Sequence, residues 1–123
     1  MDSAKILIVD DEVEFCRLLR DFFSGEGFLV ESANDGEEGL RKAMAWKPDV
    51  VLLDIRMPKK GGVYFLENIK GHDNTRVIVV SAVYNHGTPE LCKGLGVAGY
   101  ITKPVDLMTL LAKVESTLKI GLQ

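Results

Sequence analysis

Four short apolar runs, at Lys5–Val9, Phe28–Ala33, Asp49–Leu53 and Val77–Val80, constrain this chain more than any other feature, and a weaker fifth lies at Gly99–Ile101. The stretches at 6–9, 50–53 and 77–80 are rich in Val, Ile and Leu and do not alternate with polar residues. A strand with one wet face alternates and a strand covered on both faces does not, so these runs predict a parallel sheet flanked by helices. After the first run, Phe15, Leu18, Leu19 and Phe22 recur at i, i+3, i+4 and i+7, the stripe of an amphipathic helix that stops near Gly25. In the last segment Leu107, Leu110, Leu111, Val114 and Leu118 form a second stripe, with Lys113 and Glu115 off it and expected to meet water. Further helices are expected at about 36–46, 63–70 and 88–95, the last with Thr88 as N-cap and Pro89 at the first helical position. Five strands alternating with five helices, joined by right-handed crossovers, give an α/β doubly wound (βα)5 sheet.

The 123 residues, 46% apolar and 27% charged, suit one globular domain, 1–123 with its core at about 5–120. A chain of this size buries about two-thirds of its unfolded surface and needs no disulfide or structural metal to fold. Lys and Arg number 15 against 18 Asp and Glu, a formal charge of -3, which argues against direct nucleic-acid binding. The apolar runs fall far short of the roughly 18 residues of a membrane span. Met1-Asp2-Ser3-Ala4-Lys5 leads into too short an apolar stretch for a secretory signal, so a cytoplasmic location is expected. Cys16 and Cys92 then read as two reduced thiols, and neither is given a role.

Ligands of an open α/β sheet bind beyond the carboxyl ends of the strands, near the point where strand order reverses. The residues at those ends are Asp10 and Asp11, then Asp54, then Ser81, and Lys103 just after the fifth strand. They are expected to converge. Two unit charges ~4 Å apart repel by about 4 kcal/mol at an effective dielectric near 20, so three gathered carboxylates call for cations. Lys103 supplies one, and a hard divalent ion with oxygen ligands, Mg²⁺ by its usual preference, supplies the rest. With two carboxylates serving the metal, Asp54 is left to attack a phosphoryl group. Such a transfer needs mainly positioning and charge neutralisation, for which Lys103, the Ser81 hydroxyl and the nearby backbone N–H of Ala82 can serve.

Four motifs carry a resemblance: Ile8-Val9-Asp10-Asp11-Glu12, Asp49-Val50-Val51-Leu52-Leu53-Asp54-Ile55-Arg56-Met57-Pro58, Val79-Val80-Ser81-Ala82 and Gly99-Tyr100-Ile101-Thr102-Lys103-Pro104. In this order and spacing, over roughly residues 5 to 120, the chain resembles a response-regulator receiver domain of the CheY-like type. The resemblance implies a five-stranded parallel sheet of flavodoxin-like order 2-1-3-4-5 with helices on both faces. It implies Asp54 as phosphoacceptor, Mg²⁺ held by Asp10, Asp11, Asp54 and the backbone carbonyl of Arg56, and a cis peptide before Pro104. Ser81 and Tyr100 are implied as the switch that reshapes the surface of the fourth of the five expected helices, the fifth strand and the last helix. Implied partners are a sensor histidine kinase or phosphotransfer protein and a downstream effector protein or output domain, with a phosphorylation-linked homodimer as an option. Arg56 and Val83 stand where the family tunes the lifetime of its phosphate. The basic loop Lys59-Lys60-Gly61-Gly62 departs from the more acidic family pattern.

Taken singly, each residue has a plainer role. Asp10-Asp11-Glu12 could be an acidic helix start favoured by the dipole, Asp54 a strand-end cap, Ser81 a locally bonded hydroxyl and Tyr100 a packing ring. Their shared position at strand ends lifts the acids and the serine above those roles, and the resemblance lifts Tyr100. Gly94-Leu95-Gly96-Val97-Ala98-Gly99 matches G-x-G-x-x-G, but it follows a helix and leads into a strand, the reverse of a dinucleotide fingerprint. His72 and His86 lack neighbours at metal-ligand spacing, and Trp46 is a packing residue.

Rival functions are a Mg²⁺-dependent phosphatase with an aspartyl nucleophile, an unphosphorylated interaction module and a flavin electron carrier. The phosphatase pattern puts a second Asp where Arg56 stands, the degenerate module usually lacks an acid or the lysine, and Asp10-Asp11 would repel a flavin phosphate. The expected function is therefore a phosphoacceptor signalling domain that promotes its own phosphorylation and dephosphorylation, not a separate enzyme. It could stand alone or be one piece of a longer chain.

Overall fold

The computed structural model describes residues 3–57, 61–69, 75–82 and 96–121. In chain order these form β1 (Lys5–Val9), α1 (Val13–Gly25), β2 (Leu29–Ala33), α2 (Gly36–Trp46), β3 (Val50–Leu53), α3 (Gly62–Ile69), β4 (Arg76–Ser81), β5 (Gly99–Thr102) and the terminal helix α4 (Leu107–Gly121). The expected helix at 88–95 lies outside the described residues, as do His72, His86, Val83, Cys92, Lys59 and Lys60. None of the described helices is long and apolar enough to cross a membrane.

All strand pairs are parallel and the sheet runs β2-β1-β3-β4-β5, the expected order. Side chains alternate across a strand, so each apolar run feeds two cores. Ile6, Ile8, Val50, Leu52, Ile78 and Val80 face Cys16, Leu19 and Phe23 of α1 and Leu110, Leu111 and Val114 of α4. Leu7, Val9, Val51, Leu53 and Val77 face Ala43 of α2 and Phe65, Leu66 and Ile69 of α3. Covered on both faces, Ile6–Val9 of β1 and Val50–Leu53 of β3 are apolar throughout and buried. Among the described strands, only β2, at the sheet edge, alternates in burial. Lys42 of α2 donates to the Ser32 carbonyl on that strand at 2.6 Å.

Two packing expectations need correction. Leu18 is 50% exposed, because α1 turns Cys16, Leu19 and Phe23 into the core and leaves Phe15 and Phe22 half-buried on its flank. The compact thiol fills the position that a larger apolar residue would be expected to mark. Lys113 is half-buried rather than solvated: its aliphatic stem lies over Gly99 at the start of β5, where a Cβ would overlap it. Such a stem covers apolar surface while its ammonium stays wet.

The helix termini carry local signals. Asp35 caps α2 by accepting the Glu38 N–H at 2.8 Å, and the chain leaves that helix through Lys47 in the left-handed region, φ 56, directly before Pro48. At the start of α3, Gly62 passes so close to β3's end that a Cβ would stand 2.6 Å from both the Asp54 carbonyl oxygen and the Ile55 Cα. Both are backbone atoms that cannot step aside. Gly62→Ala is therefore expected to lower stability by about 1–3 kcal/mol, read as a shift in urea midpoint at unchanged slope.

Candidate functional site

Strand order brings the carboxyl ends of β1 and β3 together, with Val9 opposite Leu53, so the next residues of each, Asp10 and Asp54, are neighbours. Each is pinned by the adjoining strand: the Asp10 N–H donates to the Ala33 carbonyl at 3.0 Å and the Asp54 N–H to the Val9 carbonyl at 2.9 Å. Their side chains are equally constrained. Asp10 Oδ1 accepts the Glu12 N–H at 2.8 Å, and Asp54 Oδ1 accepts the Arg56 N–H at 3.0 Å. The remaining oxygens face Lys103, whose Nζ lies 2.9 Å from Asp10 Oδ2 and 3.5 Å from Asp54 Oδ2. Its reach across β4 starts from a backbone tie, the Lys103 N–H to the Ser81 carbonyl at 2.9 Å, followed by a cis peptide to Pro104.

Asp10, Asp54, Ser81 and Lys103 thus meet at one end of the sheet. Asp10 and Asp54 are only 2% and 6% exposed and Ser81 is buried. Tyr100 is half-buried on β5, opposite Val79. Asp11, Arg56 and Ala82 are exposed at the rim, and Asp11 does not join the group of acids whose oxygens converge. That group is Asp10, Glu12 and Asp54, with one oxygen from each within 4.8 Å of the others. Glu12 also lies 2.7 Å from Lys103 Nζ.

Several contributors escape a reading of strand ends alone. Glu12 sits on the N-cap of α1 without using its side chain as a cap; glutamate at a position that favours Ser, Thr, Asp or Asn was the available signal. Behind the acids, the Asp10 carbonyl accepts from Asn34 Nδ2 at 3.1 Å and from the Cys16 thiol at 3.3 Å. The Phe15 ring lies 4.4 Å from Lys103 Nζ and adds a cation–π contact.

Burial, hydrogen bonds and charge together set the titration of these groups. Burial pushes Asp10 above the usual carboxylate range, against the pull of the Glu12 N–H and Lys103. Burial alone would lower Lys103, but hydrogen bonds to Glu12 and Asp10 outweigh it and hold the ammonium above its ordinary value. Burial, then the Asp10 charge, pushes the Cys16 thiol up to about 11, so at neutral pH it is a protonated, inert packing group. Among the described residues, one ammonium faces three carboxylates, which leaves the cluster negative. A set of hard oxygen donors with surplus negative charge suits Mg²⁺ rather than a softer metal.

The response regulator receiver domain model matches residues 6–115. The chemotaxis protein CheY of Treponema pallidum is 37% identical over 122 residues, which cover 94% of this chain and 83% of that protein. The chain spans about half the length of other curated relatives that it matches. Among solved structures, a CheY-like receiver domain protein from Methanospirillum hungatei superposes with a TM-score of 0.94 at 28% identity, covering 98% of this chain and 97% of that one. CheY in the CheX-CheY-BeF3-Mg²⁺ complex of Borrelia burgdorferi is 38% identical with a TM-score of 0.86, over 94% of this chain and 89% of its own. The receiver-domain model spans most of the sequence, and the chain belongs to the response regulator receiver domain family.

Proposed function

We propose that this receiver domain takes a phosphoryl group onto Asp54 from a sensor histidine kinase or phosphotransfer protein in a Mg²⁺-dependent reaction. The observation that carries the reading is the Asp54 carboxylate: 6% exposed, held through one oxygen by the Arg56 N–H and turned through the other toward Lys103. An oxygen of Asp54 forms the new O–P bond while the bond from phosphorus to the donor breaks, its electron pair leaving with the donor. Lys103 is placed to bond one phosphoryl oxygen, and the Ser81 hydroxyl and Ala82 N–H are the groups assigned to others. Asp10, Asp11, Asp54 and the Arg56 carbonyl would hold Mg²⁺, with Glu12 beside them. When bound, the ion supplies positive charge that offsets the carboxylates and the incoming phosphoryl group.

The switch assigned to this chemistry runs through Ser81 and Tyr100. A move of the Ser81 hydroxyl toward the phosphoryl group lets the Tyr100 ring turn inward and reshapes the surface of β5, α4 and the segment 88–95, which lies outside the described residues. An effector protein or output domain reads that surface. Its support from known proteins is the Borrelia burgdorferi complex, in which a relative is bound to CheX together with BeF3 and Mg²⁺.

Intact mass after incubation with acetyl phosphate is expected to show one phosphoryl adduct that requires Mg²⁺ and is missing from Asp54→Asn; an adduct that survives that substitution moves the acceptor elsewhere. Arg56→Ala is expected to hasten loss of the phosphate by about two- to ten-fold by opening the site to water, and an unchanged decay rate rules out that role.

Mg²⁺ at about 100 times its dissociation constant is expected to stabilise the wild type by about 2.7 kcal/mol, and Asp10→Asn by much less. Because the folded Asp10 is raised, ionising it costs stability above that value, whereas protonation at lower pH relieves the cost. In EDTA at pH 7, Asp10→Asn is thus expected to be more stable than wild type, with the difference closing toward pH 4. Paired urea titrations at the two pH values check the sign.

A further inference from the structure

Lys103 has three N–H donors and, in the unphosphorylated protein, three carboxylate acceptors: Glu12 at 2.7 Å, Asp10 at 2.9 Å and Asp54 at 3.5 Å. Its donors are fully engaged, so a phosphoryl oxygen can gain one only if an acceptor lets go. The three acids differ sharply in what release would cost. Asp10 is 2% exposed, and parting it from its cation would leave a charge buried without compensation. Asp54 carries the arriving group itself. Glu12 has a side chain that is 61% exposed, so water can take the place of its ammonium partner at little cost.

The backbone of Glu12 is arranged for such a swing. Its N–H is held by Asp10 Oδ1 at 2.8 Å, whereas its side chain makes no cap bond to α1. The anchor stays while the carboxylate moves. The shortest of the three lysine contacts is therefore also the most readily surrendered.

We infer that Glu12 is a positioning residue, whose carboxylate holds the Lys103 ammonium over the acidic cluster until a phosphoryl group displaces it. This rests on the reading of Asp54 as phosphoacceptor and deepens it. Glu12 competes with the phosphoryl group for the same donor, and its negative charge also repels that group. The contact sets the balance between the unphosphorylated and phosphorylated arrangements of Lys103 without touching the reacting atoms.

Beryllofluoride, which adds to an aspartate as a phosphoryl mimic, is the probe, titrated at saturating Mg²⁺ into wild type, Glu12→Gln and Glu14→Gln. Glu14 is an exposed acid of the same helix, paired with Arg17 at 3.3 Å and absent from the lysine's contacts, so it controls for a general change of charge. Glu12→Gln is expected to bind beryllofluoride about two- to five-fold more tightly, and Glu14→Gln as wild type does. In nitrogen-15 NMR of the lysine ammonium groups, the Lys103 signal, assigned by its loss in Lys103→Arg, is expected to change in the same direction with Glu12→Gln and with beryllofluoride on wild type. A mere loss of fold stability would not move that signal so. Unchanged or weaker binding by Glu12→Gln, beside normal wild-type binding, overturns the role of Glu12 alone. Failure of wild type to bind the mimic at all, with Mg²⁺ bound, overturns the phosphoacceptor reading and this inference with it.

Discussion

Among the described residues, one ammonium, that of Lys103, holds the carboxyl end of this sheet together. Asp10 and Asp54 are brought side by side by the pairing of β1 with β3, and both are almost wholly withdrawn from water. Without Lys103 between them, their mutual repulsion would act in a setting where solvent screens it poorly. The lysine arrives from β5, at the far side of β4, so the cluster depends on that strand being in register: Ser81 opposite Thr102, and the Ser81 carbonyl gripping the Lys103 N–H. Sheet order, register and the charge pattern of the site are thus one constraint seen from three distances.

The parallel sheet was legible because Ile6–Val9 and Val50–Leu53 lack any alternation, a pattern that needs cover on both faces. Its carboxyl-end residues were legible for the same reason: a strand's last apolar residue is easy to see, and the polar residue after it must sit at the crevice. The order of strands came from family resemblance, since periodicity says which segments are strands but not which lie side by side. Contacts that depend on the rotation of a helix were harder to see. Leu18 and Cys16 differ by two positions on α1, and only packing decides that the thiol goes in and the leucine out.

Glu12 was hidden by its neighbours. In Asp10-Asp11-Glu12 three acids in a row look equivalent, but the turn from β1 into α1 separates them: Asp10 is buried, Asp11 is exposed, and Glu12 returns to the lysine. A side chain's length decides that return, and no periodic pattern records it. Asn34 and Cys16, which brace the Asp10 carbonyl from behind, come from different elements and meet only in the folded chain.

An edge strand is an open invitation to another chain, since its outward carbonyls and amides can extend the sheet indefinitely. In this protein Lys42 sits on the Ser32 carbonyl of β2, with Glu31 exposed beside it. A foreign strand seeking to dock there would have to displace a charged ammonium from its acceptor and bring its own backbone against two charges. The border is defended by one side chain of the neighbouring helix, which guards this side of the sheet against extension by a second chain.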